Sequence, residues 1–192
     1  MFILLVSKCT NWSTKWCKKG DSGTFVGCKN ISMYLKQYFE DNFKEWLKSD
    51  NRLVTYRQIK CVFGMEKYLY MVKNHEHKLA LFRYRVSLHN LPIEKGRHLG
   101  IDRNKRICTL CNENKIGDEE HYFMYCKNEN MVTCQDKFRI ELYKYNKSIF
   151  QLNGSSLFLY LLACKDNDLV GATAIFVFKL LSIYRQLLTK GS

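Results

Sequence analysis

One stretch restricts this chain more than any other. It reads Cys108-Thr109-Leu110-Cys111, then nine residues, His121, then four residues and Cys126. Three thiols and an imidazole thus fall within nineteen positions. Zinc in closed structural sites is held tetrahedrally by four such donors, and Cys3His is one of the standard sets. The two-residue gap between Cys108 and Cys111 lets one tight turn aim both sulfurs at a point. Gly117-Asp118-Glu119-Glu120 reads as a helix start, with Asp118 as N-cap and acids in the first turn, which places His121 in that turn. Cys126 follows His121 by five residues, about 500° of ideal α-helix, or roughly 140° away from the same face. Both residues reach one metal only if regular helix stops or distorts near Tyr125, so a break is predicted there. The competing reading is a set of buried free cysteines, common as core residues. A catalytic zinc keeps one coordination position open with three protein ligands, so four good donors argue for a structural role.

The 192 residues are 46% apolar, enough for a real core and unlike a disordered chain. Formal net charge is +13 and is unevenly spread. Residues 52–106 hold thirteen Lys/Arg against four Asp/Glu, a net of +9. A basic block of this kind suits a polyanion, most often RNA or DNA, with a plain solvated surface as the alternative. Within it, Arg83, Arg85, Lys95, Arg97, Arg103, Lys105 and Arg106 precede the cysteine cluster and are the candidate phosphate contacts. Three thiolates on one zinc carry about −1, so Lys105 and Arg106 equally suit neutralising the site. Nine cysteines, an odd number, argue against a fully disulfide-paired secreted domain. The apolar run after Met1 is five residues, too short for a signal sequence of about 7–15. Reduced thiols and an intracellular setting, nucleus or cytoplasm, are expected, and the sequons at Asn11, Asn30, Asn146 and Asn153 then carry no meaning.

Residues 1–30 show no periodicity and read as an irregular leader. Cys9, Cys17 and Cys28 within them are widely spaced. Residues 31–192 read as one helical domain with the zinc knuckle at 106–127. Apolar residues at three- and four-residue steps predict helices over 31–48, 55–73 with a split at Gly64, 76–90, 130–147, 155–164 and 168–188. In the third, Leu79, Phe82 and Val86 are expected inward; in the fourth, Phe138, Leu142 and Tyr145. Pro92 ends the third helix, and 93–98 reads as a basic connector. The last helix is long enough to span a membrane, but Lys179 at its centre favours a buried or oligomer-forming helix. No strand alternation persists. The expected fold class is all-α with an inserted Cys3His zinc knuckle. No Gly-rich phosphate loop, His-Glu-x-x-His motif or Asp-Asp pair occurs. The deaminase signature, His-x-Glu followed later by Pro-Cys-x-x-Cys, is also missing: His75-Glu76-His77 does not match it, and Ile107 precedes Cys108.

The stretch Leu53 to Cys126 resembles the reverse-transcriptase zinc-binding module of LINE-type, non-LTR retrotransposon polyproteins. The residues that carry the resemblance are Leu53-x-Thr55-Tyr56-Arg57, Glu66-Lys67-Tyr68-Leu69, Arg83-x-Arg85-x-Ser87-x-His89-x-Leu91, Ile93-Glu94-x-Gly96-Arg97, Arg106-x-Cys108-x-x-Cys111 and Glu119-x-His121 ending at Cys126. In that family the catalytic aspartates lie upstream, in a palm that this sequence does not contain. The resemblance therefore implies a non-enzymatic module or remnant, with zinc held by Cys108, Cys111, His121 and Cys126 and with RNA or DNA as partner. The alternative is a zinc-stabilised helical domain that binds protein, with the last helix as its contact. No small-molecule substrate or membrane partner is expected.

Overall fold

The computed structural model describes residues 26–49, 53–60 and 62–190. The expected leader lies outside them up to residue 25, and helix begins at Val26, five residues before the predicted start. The chain divides into two units, residues 1–41 and 42–192. Helix α1 (Val26–Ser49) begins in the first, and its turns from Asn42 onward belong to the second. In the first unit the described side chains Met33, Tyr34, Leu35 and Tyr38 are exposed.

The second unit is helical, with the element order that periodicity predicts and finer divisions. It runs through α2 (Val54–Ile59), α3 (Tyr68–Met71), α4 (His75–Arg85) and α5 (Pro92–His98), then the knuckle, then α6 (Glu129–Tyr145), α7 (Gly154–Ala163) and α8 (Asn167–Lys190). The 55–73 pattern is indeed split, and Gly64 lies in the break with φ +141°, a conformation closed to L side chains. Asn74, Asn128 and Asn153 each accept a backbone N–H and cap α4, α6 and α7. Among the described residues no strand forms. The one ladder contact is an isolated antiparallel bridge between Ile107 and Ile116 inside the knuckle.

Pro92 does more than end a helix. Leu91 is extended, as a residue before proline must be, and Pro92 then opens α5 at its first position, where a missing N–H costs nothing. The expected connector 93–98 is therefore a helix. It buries Pro92, Ile93, Glu94 and Gly96.

Helix α8 is the axis of the unit, with α4 and α6 packed along it. Leu169, Val170, Ala172, Thr173, Ala174, Phe176, Val177, Leu180 and Tyr184 are all buried. Its composition passes the length and hydropathy test for a membrane span. In this fold its apolar face meets protein. Phe123 sits among Phe138, Phe158 and Phe176, with ring centroids at 5.8, 5.2 and 4.8 Å. Phe138 and Phe176 stack at 4.1 Å.

Two inward faces differ from expectation. In α4 the buried residues are Ala80, Leu81, Tyr84 and Arg85, while Phe82 is 37% exposed. Rotating the helix this way gives Tyr84, wholly buried, a role that Phe82 lacks: its hydroxyl donates to the Glu119 carbonyl. In α6, Phe138 and Leu142 are buried as expected, but Tyr145 points out and donates its hydroxyl to Glu141.

Phe123 is 2% exposed and fills the junction of three helices. Truncation there leaves a cavity, for which Phe→Ala costs about 3–5 kcal/mol. Phe123→Ala is expected to lose that amount in denaturant unfolding, and to loosen the segment that carries His121 with it.

Candidate metal centre

Sequence places two of the four donors on a hairpin and two on a distorted helical turn. The hairpin runs from Arg106 to Gly117. Cys108 N–H donates to Lys115 O and Gly117 N–H to Arg106 O, each at 2.8 Å. Gly117 is required here: a Cβ would lie 2.8 Å from Pro92 Cγ and 3.1 Å from Cys108 Cα. Leu110 N–H points back at Cys108 Sγ, 3.5 Å away, which is the tight turn that two intervening residues predict.

The second pair is set by a helical turn that begins at Glu119 and becomes a π-turn over His121–Tyr125. Asp118 Oδ1 accepts the His121 N–H at 3.0 Å, the capping bond foreseen in the sequence. Cys126 N–H then donates to His121 O at 2.8 Å, five residues back, and Cys126 is extended. A π-turn closes on five residues where an α-turn closes on four. The distortion predicted near Tyr125 therefore spreads over the whole turn and carries Cys126 round towards the face of His121. Tyr122 and Phe123, 0% and 2% exposed, pin the other side of the turn in the core.

The four donors converge. One sulfur each from Cys108, Cys111 and Cys126 and a ring nitrogen of His121 all lie within 4.8 Å of one another. Cys108 and Cys126 sulfurs are 3.8 Å apart, and Cys111 Sγ is 3.4 Å from His121 Nε2. Donor atoms around one tetrahedral zinc are separated by about 3.3–3.8 Å, so these two pairs fit such an ion. Cys108, His121 and Cys126 are buried, and Cys111 is partly exposed. The group can hold a metal ion. A hydrogen bond shared with Cys126 holds the Cys108 thiol well below its ordinary range, and the same bond pushes the Cys126 thiol up.

Around the donors, Tyr122 Oη lies 3.2 Å from Cys108 Sγ and is the donor once that sulfur is a thiolate. Tyr184 meets the Tyr122 ring edge-on at 5.1 Å. Glu119 ties the site to α4 and the turn that follows it. Its carboxylate accepts from Ser87 Oγ at 2.6 Å and contacts His89 Nε2 at 2.9 Å. Burial alone raises the Glu119 pKa, but the bond and charge of His89, with the Ser87 hydroxyl, outweigh it and hold the carboxyl below its ordinary value. Local sequence signals miss Tyr84 and Tyr122 in these roles, because their partners lie 35 and 14 residues away.

The seven basic candidates are placed very differently. Arg85 is 4% exposed, pairs with Glu66 at 3.1 Å and lies 4.5 Å over the Tyr68 ring. It is an internal cation, which removes it from the surface set expected to meet phosphate. Arg106 lays its stem across Gly96 and donates to the carbonyls of Ile101 and Ile93 at 2.8 and 3.0 Å. Lys105 pairs with Asp102 at 3.4 Å. Neither has a bond to a sulfur among the described residues; the backbone N–H of Leu110 and the Tyr122 hydroxyl take that part at Cys108. Arg97 pairs with Glu94 at 2.9 Å, and Arg103 approaches Asp118 at 3.5 Å. Arg97, Arg103 and Arg106 line one polar cleft of about 110 Å³, shared with Glu94, Asp118, Glu119 and Glu120. Arg83 and Lys95 are exposed and have no ion pair among the described residues.

Thiols bind metal as thiolates, so an ion held here would displace their protons, its affinity would rise with pH and acid would release it. Competition with a chromophoric chelator across about pH 5 to 8 is expected to show tightening with every step upward. An affinity flat over that range would mean that the thiols are not ligands.

No protein-family model, curated protein or solved structure matches this chain. The likeness to the reverse-transcriptase module therefore rests on the residues quoted for it.

Proposed function

We propose that this chain is a zinc-stapled helical module that binds nucleic acid through its basic surface, related to the C-terminal part of a non-LTR reverse transcriptase and without polymerase activity. The convergence of Cys108, Cys111, His121 and Cys126 within 4.8 Å carries the reading. Three sulfurs and one imidazole form a donor set that suits zinc and is poor for calcium or magnesium, which take oxygen. Four protein donors in a mostly buried cluster leave no position for a substrate, which supports a structural role over a catalytic one. The metal would hold the hairpin against the π-turn and supply no reaction chemistry.

Nucleic acid is the partner that the charge favours. The exposed cations of the 83–106 block are Arg83, Lys95, Arg103 and Lys105, with Arg97 partly exposed beside them. Such side chains contact phosphates and carry non-specific affinity. Sequence discrimination is not part of the proposal, because the block resembles no base-reading helix. The protein-binding alternative asked the last helix to present a large apolar face, and α8 has most of that face in the core.

Metal analysis of the purified chain tests the first half. One zinc per chain is expected, and Cys111→Ser is expected to abolish stable binding. Structural zinc contributes roughly 10–16 kcal/mol of apparent binding energy in small fingers, against a total domain stability of about 5–15 kcal/mol. Chelation should then expose residues 100–130 to hydrogen exchange. A metal-free preparation whose melt ignores chelator overturns the assignment.

Salt titration tests the second half. Each neutralised phosphate contributes about 0.7–0.9 to the slope of log affinity against log salt, so four contacts give about −3. Replacing Arg83 and Lys95 together with Ala is expected to flatten the slope by about 1.5. Arg85→Ala is expected to leave the slope alone and to cost about 2–3 kcal/mol of stability, since it strips a buried partner from Glu66. Lys60 and Tyr56 remain on that carboxylate and soften the loss. No binding at low salt would overturn the nucleic-acid reading.

A further inference from the structure

The three sulfurs of the cluster are not equivalent. Cys108 is 6% exposed and Cys126 is wholly buried, while Cys111 is partly exposed. The hairpin tip beside Cys111, residues 112–115, is exposed throughout. Hydrogen bonding separates them again. Cys108 takes the Leu110 N–H at 3.5 Å and lies 3.2 Å from the Tyr122 hydroxyl, which donates once that sulfur is a thiolate. Cys111 has no such donor among the described residues; its one close polar neighbour is His121 Nε2 at 3.4 Å, a fellow donor of the cluster. Donated hydrogen bonds stabilise thiolate charge and draw down the lone pair with which sulfur attacks carbon. Reactivity of a cysteine follows its thiolate character and its access. Burial thus sets Cys111 apart from both other sulfurs, and bonding sets it apart from Cys108.

We infer that Cys111 is the nucleophilic sulfur of this centre, a modification site for soft carbon electrophiles of the α,β-unsaturated carbonyl class, and that its modification opens the metal site. The inference rests on the zinc reading above. In the step, the Cys111 sulfur forms a bond to the β-carbon. The carbon–carbon π pair moves to the carbonyl as an enolate, and water supplies the proton that restores the carbonyl compound. The product sulfur is a neutral thioether and a weak ligand. Three donors remain, two of them on the π-turn, and the hairpin loses its second anchor. The same chemistry at Cys108 would first require the core around Tyr122 to open, and Cys126 is 0% exposed.

The test uses the full chain, loaded with zinc and assayed for metal content beforehand. Limiting N-ethylmaleimide is added, the reaction is quenched at intervals, and peptide mass spectrometry reads the labelled fraction at Cys108, Cys111 and Cys126 separately. A chromophoric chelator follows zinc release in parallel. Cys111 is expected to react at least about tenfold faster than Cys108, the factor conferred by one hydrogen bond to a charged acceptor, and ahead of the buried Cys126. Zinc release should keep pace with labelling of Cys111. Tyr122→Phe, which removes one donor from Cys108, should raise the Cys108 rate and leave the Cys111 rate unchanged. A chain that carries no zinc overturns both readings. A zinc-loaded chain in which Cys108 or Cys126 reacts first, or in which Cys111 is labelled with the metal retained, overturns this one alone.

Discussion

His121 and Cys126 stand five positions apart, and the knuckle depends on how the backbone spans that interval. An α-turn would send the two side chains to different faces, whatever the attraction of a shared ion. The π-turn, closed by Cys126 N–H on His121 O, removes most of that disagreement without breaking the run of hydrogen bonds. Such turns are rare because their packing is looser than that of an α-turn. Here the loss is offset on the other side of the same turn, where Tyr122 and Phe123 are buried among aromatic rings. Core packing and donor geometry thus fix the same five residues from opposite sides. Damage to either is felt by both.

Glu119 extends this coupling to the basic helix. A buried carboxylate is costly unless its oxygens are bonded. Ser87 and His89 supply those bonds from the turn after α4, and Tyr84 holds the carbonyl of the same residue. Ser87 reaches this position only with φ at +53°, an uncommon conformation for a residue with a side chain. The turn that carries His121 is therefore fastened to the end of α4, just beyond Arg83 and Arg85. Donor cluster, carboxylate and basic helix form one connected structure. Among the surface cations, Arg103 meets the same Asp118 whose carboxylate caps the His121 turn.

The helices were legible because their apolar residues recur at helical spacing, and the donor set because four ligand types at finger-like gaps are hard to obtain otherwise. The break near Tyr125 was legible from rotation alone. Its form was not, because the choice of a π-turn over a plain stop depends on Phe138, Phe158 and Phe176, which are distant in sequence. The same limit explains the α4 error. Leu79, Phe82 and Val86 make a good apolar stripe, but the helix is turned by Tyr84 reaching Glu119 and Arg85 reaching Glu66. Both are polar bonds to residues at least nineteen positions away, and periodicity counts neither. Pro92 was legible as a stop; its second role, as the first residue of α5, follows from its missing N–H and was open to the same reasoning.

Arg85 and Arg106 show why a basic block in sequence and a basic surface are different quantities. An internal pair such as Arg85 with Glu66 removes one charge of each sign from the surface, so the net excess of residues 52–106 is unchanged. Long-range attraction of a polyanion depends on that net excess and survives the pairing. Counterion release does not, because it counts only cations that meet phosphate and displace bound salt ions. A guanidinium held by Glu66, or by two backbone carbonyls as in Arg106, contributes to the first and little to the second. The fold thus keeps the field of a strongly basic segment while pairing part of it internally; Lys67, Lys73, Arg83 and Lys95 are exposed with no ion pair among the described residues. A polyanion that met this segment would feel the field of the whole block and be held by those exposed side chains.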